Sequence, residues 1–270
     1  MLFNCIAYQG ELFYWCRDHR AHHKHSDTAG DPHNASRGFY FSHIGWLLQS
    51  RAPECKQALQ EVPVQDLLDD PVVTFQLRYY PYLVFVFRIL IPLYTGYWIS
   101  GSWRIGLFFN VCEMWCHSLH HTFLVNSAAH LPWCGYRPYN DEILPTEASV
   151  VIVAALGEGH HNFHHVFPQD YATSELGWNR TFNPSKAFID LGAWLGWVTE
   201  RTRVEKKQIQ RPRIKSNGQP KKLLDITTRM INFLFCSNNP FFSVNILSTF
   251  KNFNLFDGYS INIFFFINIL

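Results

Sequence analysis

Charge is scarce in this chain. Acidic and basic side chains make up 16% of its 270 residues, where about 25% is usual for a soluble domain. The net charge of +2 leaves no electrostatic footprint for nucleic acid. No CxxC pair occurs among the seven cysteines, which argues against a zinc ribbon or a dithiol redox motif. Their odd number does not fit a closed disulfide framework, and free thiols in a reducing compartment are expected. Residues 1–8 are mildly apolar, but no basic run precedes them and Gln9, Gly10 and Glu11 follow, so no secretory leader is expected.

Aromatic residues are plentiful at 17%. The longest apolar stretch runs from Tyr82 to Ile99 (YLVFVFRILIPLYTGYWI), interrupted by Arg88 and Pro92. Its length suits a membrane span of about 20 residues, with a buried core helix as the alternative. A second run from Trp103 to Cys116 follows a Gly-Ser turn and continues through a His-rich stretch to Val125. Two spans joined by a tight turn form a hairpin, which returns the chain to its starting side. The polar segments 17–78 and 126–229 then lie on the same side. The basic stretch from Arg201 to Lys222 favours the cytosol for that side. The last 40 residues differ, with 24 of them Phe, Asn or Ile and no clean period. Residues 1–230 are therefore read as one domain. Residues 231–270 are an atypical tail, either a further membrane anchor or translated non-coding sequence.

The chain has 14 histidines, and their placement is the informative feature. His19, His22 and His23 form one HxxHH cluster, and His161, His164 and His165 form a second. On a helix, positions i, i+3 and i+4 share a face, so each cluster is expected to aim three imidazoles at one point. A third element, Asn126 to His130 (NSAAH), starts where the second apolar run ends. It would set His130 at the membrane boundary, with Asn126 a helical turn before it and able to reach a metal-bound water. Seven histidines are too many for one ion, since a catalytic zinc usually takes three protein ligands. Two adjacent redox metals fit better, because unactivated alkyl C–H bonds yield to no side-chain acid, base or nucleophile.

The run Arg17 to Lys24, then Asp31 to Asn34 (DPHN), then Arg37 to Leu48 (RGFYFSHIGWLL) resembles the second histidine box and following loop of animal acyl-CoA Δ9 desaturases. The motifs at 126–130, at 135–139 (GYRPY) and at 157–165 (GEGHHNFHH) continue the resemblance, which covers about residues 1–215. It implies an all-α membrane protein with four membrane helices and a cytosolic helical cap. It implies two irons as Fe2+, held by His19, His22, His23, His130, His161, His164 and His165, with Asn126 holding a metal-bound water. The implied reaction removes two hydrogens from a saturated acyl-CoA and reduces O2 to water. Its electrons would come from cytochrome b5 and its reductase at the endoplasmic reticulum membrane. Arg17, Asp18 and Arg51 match family positions near the coenzyme A head group, where cations suit phosphates. For Arg51, a solvated loop charge is the alternative.

Several features depart from the family. Its upstream HxxxxH box, with two more ligands, is not found before His19, and Met1 to Asn4 resemble the middle of its second membrane helix. The chain as given is therefore expected to be inactive, as an N-terminally shortened form. A non-catalytic relative and another His-rich diiron enzyme, such as a lipid hydroxylase, are the alternatives. Gly10 and Phe123 stand where Asn and Trp are common beside the substrate, and His160 stands where an aromatic is usual. His117, His120 and His121 lie inside the presumed second span and are expected to be partly buried and hydrogen-bonded. His25, His33 and His43 are read as supporting residues. Asn179, Arg180 and Thr181 match a glycosylation sequon that a cytosolic face would leave unused.

Overall fold

In the computed structural model, residues 1–178 and 180–215 are described, with side chains given to residue 210. The sequon position Asn179, Cys236 and the 231–270 tail lie outside the described residues. The chain divides into two units, 1–221 and 222–270, and all described residues belong to the first. These residues are helical, with no strand among them beyond isolated bridges of Glu147 to Tyr136 and His160.

Two short N-terminal helices, α1 (Leu2–Ala7) and α2 (Leu12–His25), lead into an irregular loop. A wide helical turn, Phe41–Gly45, runs into Trp46–Leu48. Helices α3 (Pro53–Gln60) and α4 (Gln65–Asp69) follow. The hairpin consists of α5 (Pro71–Ser100) and α6 (103–126). Then come α7 (Ser149–Ala154), α8 (His161–Val166), α9 (Pro184–Trp194) and α10 (Lys206–Lys215).

Helix α5 starts well before the apolar run, because Pro71 presets its first turn and the Asp70 carboxylate caps the backbone N–H groups of Val72 and Val73. Its ladder widens over Phe85–Leu90, ahead of Pro92. Proline has no N–H to give to the carbonyl four residues back and its ring crowds that carbonyl. By length and composition α5 can cross a membrane; among the described residues it is the one helix long and apolar enough to do so. The return helix α6 carries Arg104, Glu113 and three histidines, which lower its apolarity.

The two helices cross in backbone contact. A Cβ on Gly96 would stand 2.5 Å from the Gly106 Cα, and one on Gly106 would stand 2.5 Å from the Leu93 carbonyl oxygen. Small residues at a crossing let helices close without a hydrophobic drive between them. The buried Arg88 guanidinium donates to the carbonyls of Asn110 and Val111 on α6. That answers the charge which interrupted the apolar run.

The α1–α2 junction is tied to α5 by polar contacts. The Gln76 side chain accepts from the Leu12 N–H at 3.1 Å and donates to the Asn4 side chain at 2.7 Å. The Gly10 N–H donates to the Tyr80 hydroxyl. Helix α2 packs Ala21 against Cys55, Leu59 and Val62, which turns the opposite face of α2, with its histidines, inward. Helix α8 is anchored likewise by Phe163, which packs with Tyr139, Phe167, Val204 and Ile209. The six described cysteines are all free.

Candidate metal centre

The HxxHH clusters sit on α2 and α8, and the structure does not aim each at its own point. It exchanges members between them. His19 and His23 of α2 meet His164 of α8, while His161 and His165 of α8 meet His22 of α2 and His130. The expectation of three imidazoles from one helix on one point is therefore corrected. At about 100° per residue, i and i+4 lie about 40° apart, whereas i+3 and i+4 lie about 100° apart. One helix can point i and i+4 together and must send i+3 elsewhere.

In the group of four, Nε2 atoms face one another: His22 to His165 at 3.1 Å, His165 to His161 at 3.1 Å and His161 to His130 at 3.0 Å. In the group of three, the corresponding separations are 3.1 Å for His23 to His19, 2.9 Å for His23 to His164 and 3.3 Å for His19 to His164. The groups adjoin, with ring centroids 5.7 Å apart from His22 to His23 and 5.8 Å apart from His164 to His165. His22, His130 and His161 are buried. The group of three borders a cleft of about 460 Å3, lined also by Arg20, Lys24 and Pro168. Asn126 ends α6, one turn before His130.

Carboxylates behind the rings set their tautomers. His22 Nδ1 lies 2.9 Å from the buried Asp31 carboxylate, and His130 Nδ1 lies 3.0 Å from both oxygens of Asp27. A ring that donates Nδ1–H to a carboxylate presents a bare Nε2 lone pair. The Asp31 carboxylate also accepts the N–H groups of Asp27 and His33, so one side chain folds the whole 27–33 loop behind His22. Burial pushes Asp31 up to about 7, with those two N–H groups holding it down. Burial, reinforced by neighbouring imidazoles, drives His19, His22, His161 and His165 well below the usual histidine range. It drives His23 to about 4 and His164 to about 3. These rings are neutral at pH 7, the form that binds a metal.

This donor set fits metal cations. Four and three Nε2 atoms converge without an anion between them, two of them with their tautomer fixed for coordination, and imidazole suits iron, zinc, copper or nickel. Buried Nδ1 atoms of His161 and His164 have no hydrogen-bond partner.

Helix α8 is only six residues long and is held from outside. The buried Glu147 accepts the Phe163 N–H at 2.9 Å with one oxygen, and its other oxygen lies 2.6 Å from His160 Nδ1. His160 Nε2 in turn lies 2.8 Å from the Thr181 hydroxyl. Gly159 allows the approach of α7, since a Cβ there would stand 2.1 Å from the Ile152 nitrogen. Asp27 and Glu147 are not singled out in the sequence, and Asp31 stands there only as the first residue of the DPHN motif. The DPHN spacing was a visible pointer to Asp31, but nothing local marks Asp27 or Glu147.

The remaining histidines divide. His33 packs on His22 with ring centroids 4.3 Å apart. His43 bridges the Ser127 hydroxyl at 2.9 Å and His120 at 3.0 Å. His117, His120 and His121 are exposed and not partly buried as expected, though two of them have polar partners: His120 meets His43, and His117 pairs with Glu113 at 2.9 Å. Arg17, Asp18 and Arg51 meet at one point. Asp18 accepts from Arg17 at 2.8 Å and from Arg51 at 2.5 Å, which leaves one positive charge in excess at a partly buried site.

Residues 2–180 match the fatty acid desaturase family. The chain is 44% identical over 223 residues to an acyl-CoA Delta(11) desaturase of Choristoneura rosaceana, covering 81% of this chain and 64% of that one. It is 49% identical over 201 residues to an acyl-CoA Delta12-desaturase of Acheta domesticus, covering 73% and 54%. It is 44% identical over 209 residues to stearoyl-CoA desaturase 5 of Homo sapiens, covering 77% and 62%. The chain thus spans between about half and two thirds of the length of these curated relatives. With the all-helical fold, the paired histidine groups and these likenesses together, the chain belongs to the fatty acid desaturase family.

Proposed function

We propose that this chain is the histidine-bearing part of an acyl-CoA desaturase, which introduces a cis double bond into a saturated fatty acyl-CoA. The observation that carries the reading is the exchange of His22 and His164 between the two clusters, which with His130 makes two adjacent all-imidazole groups. His22, His130, His161 and His165 would hold one iron as Fe2+. His19, His23 and His164 would hold the other, with Asn126 contributing through a water. The bound irons would supply the O2-dependent oxidant that removal of two hydrogens from an alkyl chain requires. Overall, the acyl chain gives up two hydrogens, two electrons and two protons are added, and O2 leaves as two waters.

The protein's own residues serve the reaction by placement. Asp27 and Asp31 fix the tautomers of His130 and His22. The excess charge of Arg17 and Arg51 over Asp18 would attract coenzyme A phosphates. Electrons would come from cytochrome b5 and its reductase as separate partners. Helix α5 suits insertion in a lipid membrane. The endoplasmic reticulum, with a multi-pass topology and the histidines on the cytosolic side, is the matching location, and nucleic acid has no role.

The test is expression in a yeast lacking its own desaturase, with product analysis of cellular fatty acids. Residues 1–270 alone are expected not to restore growth without unsaturated fatty acid. The same residues joined to an upstream segment of a relative that carries a first span and an HxxxxH box are expected to restore it. Hydroxylated products would overturn desaturation. Growth from residues 1–270 alone would show that the histidines present suffice.

A further inference from the structure

Helix α9 is built inside out. Its lysine points inward: Lys186 is buried and paired with Asp190, which also accepts the Tyr171 hydroxyl at 2.7 Å. Its large apolar side chains point outward. Phe188, Leu191 and Leu195 are about half exposed, and Trp194 and Trp197 are 80% and 77% exposed. Positions 188, 191 and 195 follow i, i+3 and i+7, so they form one stripe. In water this arrangement leaves its apolar area unburied, where a surface helix normally does the reverse.

The stripe is not isolated. Phe188 packs edge-to-face on Phe3 of α1 at 5.5 Å, and Phe3 is itself 58% exposed. Beyond the C-terminal end of α9 the character changes to basic, with Arg201, Arg203, Lys206 and Lys207 exposed, interleaved with Glu200 and Glu205. At 11 residues, α9 is about 16 Å long, too short to cross a hydrocarbon core of about 30 Å.

We infer that α9 lies in the plane of the bilayer interface, with Phe188, Leu191 and Trp194 on its face, and Leu195 and Trp197 just past its end, in the acyl–headgroup boundary. This rests on the membrane reading given above. An apolar face with indoles at its end sits well at that depth, about 5–10 Å into the boundary. Of the basic residues that follow, Arg201 and Arg203 pair with Asp190 and Asp170, and Lys206 and Lys207 are placed to meet lipid phosphates. The pairing of buried Lys186 with Asp190, which also holds Arg201, then keeps the lysine charge off the lipid side. The consequence is a second point of membrane attachment, far in sequence from α5, that would hold the α8 side of the metal centre at a set height over the bilayer.

The test uses the full 270-residue chain in phosphatidylcholine–phosphatidylserine nanodiscs, with acyl chains brominated near the headgroup end or near the methyl end. The chain has nine tryptophans, so the signal is the difference between wild type and the double variant W194F/W197F. The difference emission is expected to be blue-shifted and to lose about half its intensity with shallow bromines, and clearly less with deep ones. Emission that no bromine quenches overturns the inference. If red-shifted it places the indoles in water, and if blue-shifted it places them against protein. Should the double variant not stay folded, benzoylphenylalanine at position 194 gives a second readout. Photo-adducts with lipid acyl chains are expected, and adducts with protein alone overturn the inference. Neither readout involves metal or turnover, so failure of the desaturase reading and failure of this one are told apart.

Discussion

His22 and His165 stand 143 residues apart in sequence and face each other Nε2 to Nε2 at 3.1 Å. His22 crosses to the group built on α8, where His165 keeps company with His161 of its own helix. His22 is the i+3 member of its own cluster, and His165 is the i+4 member of the other. This crosswise sharing makes the two histidine groups mutually dependent for position, each with a member on the other's helix.

Replacing His164 with Ala removes one of three donors from one group and none from the other. Metal content of the purified chain, measured by mass spectrometry, is expected to fall toward half of wild type, with membrane insertion unchanged. Replacing His22 should empty the group of four instead. Full metal content in the His164 variant would remove that residue from the ligand set.

Asp27→Asn leaves the shape behind His130 but lets an amide donate where the ring donated. The ring would then carry its proton on Nε2, the wrong nitrogen for a ligand. Metal affinity read by chelator competition should weaken by about 10–100-fold. An unchanged affinity would show that Asp27 does not set the tautomer.

Glu147→Ala would leave the buried Phe163 N–H and His160 Nδ1 without their acceptor. Each orphaned group costs about 1–3 kcal/mol, so a clear drop in thermal midpoint is expected. Glu147→Gln keeps one acceptor oxygen and should lose less. Equal midpoints for all three proteins would refute external capping of α8.

Acid should destabilise the metal-free chain. An unfolded histidine titrates near 6.5, whereas His23 stays neutral to about 4 and His33 and His164 to about 3, chiefly through burial. Between about pH 6.5 and 4 the unfolded chain therefore binds more protons, and stability falls as pH falls. Asp31, raised to about 7, pulls the other way over that window, but it is one group against several rings. Thermal midpoints of the chelator-treated, detergent-solubilised chain should decline steadily from pH 7 to pH 4.5. A flat or rising series would contradict neutral, buried imidazoles.

How much of this was legible in advance depended on the range of the interaction. The HxxHH spacing, the Gly-Ser turn at Gly101 and Ser102, and the apolar run through α5 are local patterns, and helix geometry alone reads them from the chain. The carry-over of the seven histidines also needed only motif matching. What the sequence could not say was which imidazole meets which. The axial turn of α2 is set by Ala21 against Cys55 and Leu59, and that of α8 by Phe163 against Tyr139 and Val204. Those packing contacts, between segments far apart in the chain, decide that i+3 crosses to the partner helix. The acidic residues behind the rings are equally non-local. Asp27 reaches His130 across 103 positions, and no spacing rule connects them. Local sequence determined the elements and their chemistry; tertiary packing determined the pairing, because a helix face acquires a direction only when its opposite face is buried.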